Sequence, residues 1–154
     1  MTTPADIQTY LHEHIPLSAD MGVTVLVADQ SGVRLRAPLG PNINHRQTVF
    51  GGSAGTLATL AAWALVHFRL RGEEPGAAFR VVIRRSTVNY PAPLLDDFEA
   101  YAPAPPAERW ERFLATLRRR GKARLTVMAS VTSDGVVGAT FEGEFVALAM
   151  EGAG

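Results

Sequence analysis

A short polar segment that leads into two glycines is the part of the sequence best suited to chemistry. The amides of Asn42 and Asn44 and the imidazole of His45 precede the pair Gly51-Gly52, which opens a long apolar run. If a helix begins at the glycines, its first N–H groups lack a helical partner and carry about half a positive charge. Glycine also lets a ligand approach the backbone closely. The segment therefore predicts a site for a developing oxyanion, as in attack on an ester or thioester carbonyl.

Such a reaction also needs a group that activates or positions water. A histidine titrates near neutral pH, so His45 is the candidate base. Asn44 and Thr59 are candidates for positioning water without deprotonating it, and Ser53 could either cap the helix or contact the carbonyl. The structural alternatives are a tight turn at the diglycine and a solvated loop position for the histidine.

Other residues concern binding rather than bond making. Trp63 belongs either to the core or to the floor of an acyl-chain tunnel. Arg84-Arg85 interrupt an apolar alternation and face a partner subunit, a phosphate or solvent. Seven basic residues against two glutamates between positions 108 and 124 indicate a solvated face or a site for phosphate groups, which arginine matches in charge and geometry. The predicted substrate-binding residues are Asn42, Phe50, Ser53, Trp63, Arg84, Arg85, Arg119, Arg120 and Lys122.

The order of predicted elements places the apolar run inside a sheet. Residues 49–68 carry no charged side chain and could cross a bilayer as a helix, but only positions 57–66 are strongly apolar. The half-apolar strands around this run need a core, so a buried helix is expected. We predict helices at 3–15 and 51–70, strands at 23–27, 33–37, 79–90, 97–101, 123–131 and 136–148, and a short helical or bulged excursion at 108–117.

Strands that follow one another through short turns favour antiparallel pairing. An apolar helix with no wide polar face must be covered on most sides, and a strongly curved sheet wrapped around it satisfies that need. Such a sheet keeps an edge strand, and pairing of edges between subunits commonly covers it. The pattern therefore predicts a homodimer or a dimer of dimers.

Length and composition limit the number of domains and the kinds of metal site and partner that are expected. A chain of 154 residues predicts one domain over residues 1–154. The absence of cysteine excludes disulfides and thiolate metal sites, and no histidine–carboxylate pair has metal-ligand spacing, so no metal is expected. Equal numbers of basic and acidic side chains, 15 of each, argue against a nucleic-acid partner. The first ten residues lack a signal-peptide pattern, and neither a membrane partner nor a location other than the cytoplasm is expected.

The element order and the spacing from Asn44 to Gly51-Gly52 resemble hotdog-fold acyl-CoA thioesterases. Residues 41–53 are most similar to the thioesterase domain that follows an acetyltransferase domain in some bacteria. Residues 88–93 and 138–146 resemble hotdog strands, so the resemblance covers nearly the whole chain. It implies an α+β hotdog fold, in which a curved antiparallel sheet wraps around one long central helix.

The resemblance also implies site roles and an activity, namely hydrolysis of an acyl-CoA, with coenzyme A as part of the substrate and no cofactor. Asn44 matches a loop asparagine that orients the nucleophile or water in the phenylacetic-pathway thioesterases, and Gly52 matches the glycine whose N–H polarises the thioester carbonyl. Two positions depart from the family pattern. Phe50 stands where the family often has histidine, and Thr59 stands where it has a helix carboxylate.

The missing carboxylate leaves two other functions open. One is a non-catalytic module that binds acyl-CoA, and the other is a hydratase of the same fold. A hydratase needs histidine paired with a carboxylate, and the loop offers no carboxylate to pair with His45.

Overall fold

One long apolar helix lies against a sheet of six strands. The computed structural model describes residues 2–151. The elements in chain order are α1 (Pro4–His14), α2 (Pro16–Asp20), β1 (Thr24–Asp29), β2 (Gly32–Ala37), a 3-10 turn (Gly40–Asn42), α3 (Gly51–Glu73), β3 (Phe79–Asn89), β4 (Phe98–Pro103), α4 (Ala107–Arg120), β5 (Lys122–Ser133) and β6 (Val136–Ala149).

The central helix α3 is buried along most of its length. Its contacts reach five of the six strands, from β2 to β6. Eleven of its 23 residues are buried, five of them alanines whose short side chains let strands approach closely. The predicted helix at this place is confirmed and continues three residues further, to Glu73. Among the helices within residues 2–151, none is long and apolar enough to cross a membrane.

The six strands form one antiparallel sheet in the order β1-β2-β4-β5-β6-β3. Side chains of β5 alternate as the period of two predicts, with Leu125 and Val127 buried and Arg124 and Met128 exposed. Register shifts between Ile83 and Arg85 and within β1 and β5 bend the sheet. The hotdog architecture, a curved sheet around one central helix, is thereby confirmed.

Helix α4 is longer than the excursion predicted at 108–117. Trp110, Phe113, Leu114 and Leu117 form a buried stripe at helical spacing, and Gly121 ends the helix in the left-handed conformation at φ 72°. Strand β4 pairs with β5 only at residues 130–132, so among the described residues 2–151 no strand lies beside β5 over 122–129 on that side. Helix α4 packs there instead.

Strand β3 is the long edge of the sheet. It pairs with β6 over ten positions, and no strand within residues 2–151 lies on its other side. Val82 and Ile83 are exposed large apolar residues on it, and Arg84 and Arg85 are also exposed. This is the unpaired edge on which the predicted homodimer depends.

Candidate active site

The first turn of α3 presents two N–H groups without protein partners. The helix follows Phe50, whose own N–H is donated to the carbonyl of Asn42 and whose carbonyl accepts from Ser53 and Ala54. Within residues 2–151, the N–H groups of Gly51 and Gly52 reach no protein acceptor. These two donors and the positive end of the helix dipole lie at the place where the diglycine predicts a site for an oxyanion.

No side chain caps this helix. Ser53 is its third residue, and no side-chain hydrogen bond is made at the cap. The interpretation of Ser53 as the capping residue is therefore wrong, because the helix begins two residues earlier, at Gly51. The half-buried Ser53 side chain remains beside the first turn.

A cavity of about 300 Å³ opens beside the first turn of α3, and its walls include Gly51 but not Gly52. Tyr90, at the end of β3, forms one wall, and its hydroxyl donates to the carbonyl oxygen of Gly51 at 3.2 Å. A side chain at Gly55 would press against that hydroxyl, so the glycine makes room for the phenol ring. The wall residues are Val49, Gly51, Ala54, Tyr90, Pro91, Ala92, Pro93, Leu94 and Gly138.

Asn44 builds the loop that precedes the site. Its Oδ1 accepts from the N–H groups of Arg46 (2.9 Å) and Thr48 (3.2 Å). Its Nδ2 donates to Thr48 Oγ1 (2.9 Å) and to the carbonyl of Val49 (3.4 Å). Both lone-pair directions of the amide oxygen are used inside the loop, so in this conformation Asn44 positions the chain on its way to Gly51.

Three other predicted site residues, His45, Thr59 and Phe50, lie near the start of α3 and differ in exposure and contacts. His45 is exposed and makes no hydrogen bond within residues 2–151, so it is free to turn. Thr59 donates its hydroxyl to the carbonyl of Gly55, one turn back, at 2.8 Å. Phe50 is 57% exposed and its ring covers the Cα of Gly52. The aromatic ring therefore occupies the space that a side chain at Gly52 would need.

Two predicted binding residues have structural roles instead. Asn42 is only 2% exposed, and its Nδ2 donates to the carbonyls of Met21 (2.9 Å) and Pro38 (2.8 Å). The prediction that it contacts substrate is wrong, because its amide hydrogens hold the loop to the residues that directly follow α2 and β2. Trp63 does not line the cavity. Its Nε1 donates to the carbonyl of Val81 at 2.8 Å, which supports the core interpretation.

The predicted basic residues do not converge on one point. Arg84 pairs with Glu144 at 3.5 Å. Arg118 is bound to Glu74, beyond the C-terminal end of α3. Arg85 is exposed on β3, and the other predicted phosphate contacts, Arg119, Arg120 and Lys122, are exposed where α4 passes into β5.

His67 is a perturbed titratable group far along α3 from the diglycine. Its ring stacks on Trp63 at 4.5 Å and lies 5.1 Å from Tyr10, with 9% of the residue exposed. Burial, together with the charges of Arg71 and His14, lowers the pKa of His67 from 6.5 to about 4. Its Nε2 has no hydrogen-bond partner within residues 2–151. Its ring therefore packs among the aromatic side chains at this end of α3.

Sequence reasoning also missed Tyr90 as a site residue. Its contact with Gly51 joins positions 39 residues apart, and the only local signal was its place before Pro91, where a strand must end. No three His, Asp or Glu side chains of residues 2–151 are grouped as metal ligands would be.

Comparison with known proteins identifies the family to which this chain is similar. The family model described as putative thioesterase (yiiD_Cterm) matches residues 4–149. A protein of unknown function from Chlorobaculum tepidum is 29% identical, with a TM-score of 0.87 over 96% of this chain and 97% of that chain. A putative thioesterase from Shewanella oneidensis is 27% identical (TM-score 0.80, 94% and 96% covered). A probable thioesterase from Pseudomonas aeruginosa is 26% identical (TM-score 0.81, 97% and 99% covered).

Proposed function

Because the chain belongs to the family of putative thioesterases (yiiD_Cterm), we propose that it hydrolyses an acyl-CoA thioester at the first turn of α3. The observation that carries this proposal is the pair of free N–H groups at Gly51 and Gly52, beside a cavity of about 300 Å³. A carbonyl oxygen bound by those donors gains the most stabilisation when it becomes negatively charged, which lowers the barrier to attack.

In the proposed reaction, water attacks the thioester carbon while the carbonyl oxygen lies against the N–H of Gly52, assisted by Gly51. The water proton passes to His45, whose exposed side chain can turn toward the cavity mouth. The tetrahedral intermediate then collapses with cleavage of the carbon–sulfur bond. The proton returns to the thiolate, and the products are a carboxylic acid and free coenzyme A.

Positioning of the water falls to the loop and to the third turn of α3. Asn44 fixes the loop that carries His45, through the four hydrogen bonds of its side-chain amide. The hydroxyl of Thr59 donates a hydrogen bond to the carbonyl of Gly55, so its oxygen keeps lone pairs that can accept a hydrogen bond from water. The acyl chain would follow α3, and the basic residues Arg119, Arg120 and Lys122 would lie toward the coenzyme A end.

We also propose a homodimer, or a dimer of such dimers, in which the β3 edges meet. The unpaired edge with Val82 and Ile83 exposed supports this assembly. Phe50 and Tyr90, both more than half exposed, would be covered by the partner, which would close the site against water. Arg84 and Arg85 would then lie at the subunit interface. A cytoplasmic location stays a prediction.

The decisive experiment measures thiol release from a panel of short, long and aromatic acyl-CoA substrates by the purified chain. Saturable hydrolysis of at least one of them is expected, and no release from any of them would contradict the proposal.

A non-catalytic acyl-CoA-binding module is the second candidate. The sequence observation that favours it is the lack of Asp and Glu between Gly51 and Leu70, where a thioesterase of this fold usually has its helix carboxylate. Calorimetric binding of an acyl-CoA without thiol release would select this function.

A further inference from the structure

A second cavity, of about 450 Å³, lies between α4 and the first half of β5. It shares no wall residue with the cavity at Gly51. Its volume lies in the range of small-molecule sites, roughly 300–1,000 Å³. We call it the α4–β5 groove, and its walls are formed by Arg109, Arg112, Phe113, Thr116, Ala123, Arg124, Leu125, Thr126 and Glu142.

The groove exists because β4 is too short to pair with all of β5. Strand β4 ends at Pro103, and its pairing with β5 stops at Ser130, so residues 122–129 are left without a strand on that side. An amphipathic helix covers the gap less closely than a strand would. The wall residues of α4 follow the spacing of one helix face, at positions 109, 112, 113 and 116.

The groove has a basic rim. Arg109 and Arg112 form no ion pair within residues 2–151. Arg124 lies 3.9 Å from Glu144, whose carboxylate is shared with Arg84. The one acidic side chain on the walls is Glu142. With Glu144 counted beside Arg124, three guanidinium groups meet two carboxylates. Arg109 and Arg112, which have no ion-pair partner within residues 2–151, supply the positive charge that a bound anion would neutralise.

The groove is larger than an inorganic ion. Phe113, Ala123 and Leu125 are among its wall residues but are almost fully buried, so the accessible lining is mixed, with polar side chains beside apolar atoms. An inorganic ion would leave most of the volume unused, whereas an organic molecule that carries phosphate groups would fill the groove and reach the rim. Glu142 and the hydroxyl of Thr126 would accept hydrogen bonds from hydroxyl or amino groups of such a molecule.

We propose that the α4–β5 groove binds a phosphorylated small molecule of the nucleotide class, with its phosphates on Arg109, Arg112 and Arg124. Two sources supply this chemistry: the nucleotide end of an acyl-CoA, and a separate nucleotide. Binding in the groove does not depend on the proposed hydrolysis, because the walls and the charges belong to α4, β5 and β6 alone.

The test is calorimetric titration of the wild-type chain at low ionic strength with ADP, adenosine 3′,5′-bisphosphate and adenosine. Saturable binding of the two phosphorylated probes, and none of adenosine, is expected. In Arg112→Gln the dissociation constant should rise roughly tenfold or more, which is about 1.4 kcal/mol. Arg118→Gln is the matched control, since Arg118 lies on the same helix but is bound to Glu74. It removes the same charge and should change binding less than twofold.

Three results would overturn the proposal: no saturable binding of either phosphorylated probe, equal binding of adenosine, or equal weakening by Arg112→Gln and Arg118→Gln. Thermal unfolding of both variants identifies a folding defect, and Arg109→Gln then repeats the test at the next position of the rim.

If the chain hydrolyses an acyl-CoA, kinetics show whether the groove binds the nucleotide end of that substrate or a separate nucleotide. If the groove holds the nucleotide end of the substrate, Arg112→Gln raises KM for the acyl-CoA and leaves kcat unchanged. If it holds a separate nucleotide, KM is unchanged in the variant. A chain that hydrolyses nothing can still bind ADP, so failure of the proposed function and failure of the groove give different results.

Discussion

The hydroxyl of Tyr90 donates a hydrogen bond to the carbonyl oxygen of Gly51, over 3.2 Å. This contact ties the end of the edge strand β3 to the first turn of the central helix. Since the neighbouring N–H groups are those left free for a ligand, the position of the proposed oxyanion site depends on the strand as well as on the helix. A subunit that pairs with β3 would therefore act directly on the wall of the cavity.

Removal of one free donor tests the oxyanion site. Gly51→Pro deletes the N–H, and proline suits the first position of a helix, particularly after Phe50 with its extended ψ of 131°. Gly51→Ala keeps the N–H and places its Cβ in ordinary contact with Tyr90, 3.5 Å away. We expect kcat for acyl-CoA hydrolysis to fall roughly 100-fold in the proline variant and only severalfold in the alanine variant. Equal rates in the two variants would show that this donor is not used.

Replacement of the loop asparagine tests its positioning role. Asn44→Ala removes two accepted and two donated hydrogen bonds, so the free energy of unfolding should fall by about 1–3 kcal/mol and turnover by at least roughly tenfold. Asn44→Asp keeps the acceptor for Arg46 and Thr48 and should lose less stability. Urea unfolding and steady-state kinetics measure the two effects. Unchanged turnover in Asn44→Ala would remove this residue from the proposed mechanism.

Replacement of the candidate base tests the proton transfer. His45→Ala should lower kcat roughly 100-fold at neutral pH without changing stability, because the side chain is exposed and makes no hydrogen bond within residues 2–151. Arg46→Ala is the control, since that neighbour is an exposed loop side chain outside the proposed site. Similar rates in both variants would exclude His45 as the base.

The buried His67 predicts how stability depends on pH. Its folded-state pKa is about 4, against 6.5 for the free side chain. Between these values the unfolded chain takes up a proton that the folded chain does not, so stability is full above pH 6.5 and falls as the pH drops toward 4. The loss from this residue should reach about 3 kcal/mol.

The matched variant for that prediction is His67→Phe, which keeps an aromatic ring among Tyr10, Trp63 and Phe68 and cannot titrate. Urea unfolding of both proteins at several pH values isolates the effect, because all other titratable groups are common to them. If the difference in unfolding free energy between the two proteins does not change from pH 7 to pH 4, the assignment is wrong.

Charges on the edge strand should prevent the proposed dimer. In Val82→Lys combined with Ile83→Lys, two exposed apolar residues of β3 become charged, and lysine on an edge strand opposes pairing with another strand. Val136→Lys is the control, an equally exposed apolar residue on the hairpin between β5 and β6. Light scattering coupled to size exclusion should show a dimer for wild type and control and a monomer for the double variant. Unchanged mass in the double variant would exclude pairing through β3.

Local sequence patterns predicted most of the helices and strands. The long uncharged run indicated a buried helix, because the half-apolar strands around it needed a core. The alternation in β5 predicted which of its side chains would be buried. The extent of α4 was underestimated, because its five basic residues and the two at the start of β5 form one charged run in the sequence. In the structure Arg118 faces Glu74 while Arg112 faces the groove, and only the helical turn separates them in this way.

The contacts of the candidate site were less predictable than the helices and strands. Spacing predicted that the helix begins at Gly51-Gly52, and the structure shows that the N–H groups of both residues reach no protein acceptor within residues 2–151. Spacing could not show that Asn42 turns inward to Met21 or that Tyr90 reaches Gly51, since those contacts join positions 21 and 39 residues apart. Contacts of that kind depend on how distant segments pack together, which the neighbouring sequence does not specify.

The hydrogen bond from Trp63 to the carbonyl of Val81 has a mechanical consequence. Twelve residues of helix, about 18 Å, separate the indole from Gly51. The helix carries the proposed oxyanion donors at its first turn, and near its middle it is hydrogen-bonded to the strand on which a second copy would dock. A shift of α3 along its axis would therefore displace those donors and pull on Val81, which links the proposed reaction centre mechanically to the proposed subunit interface.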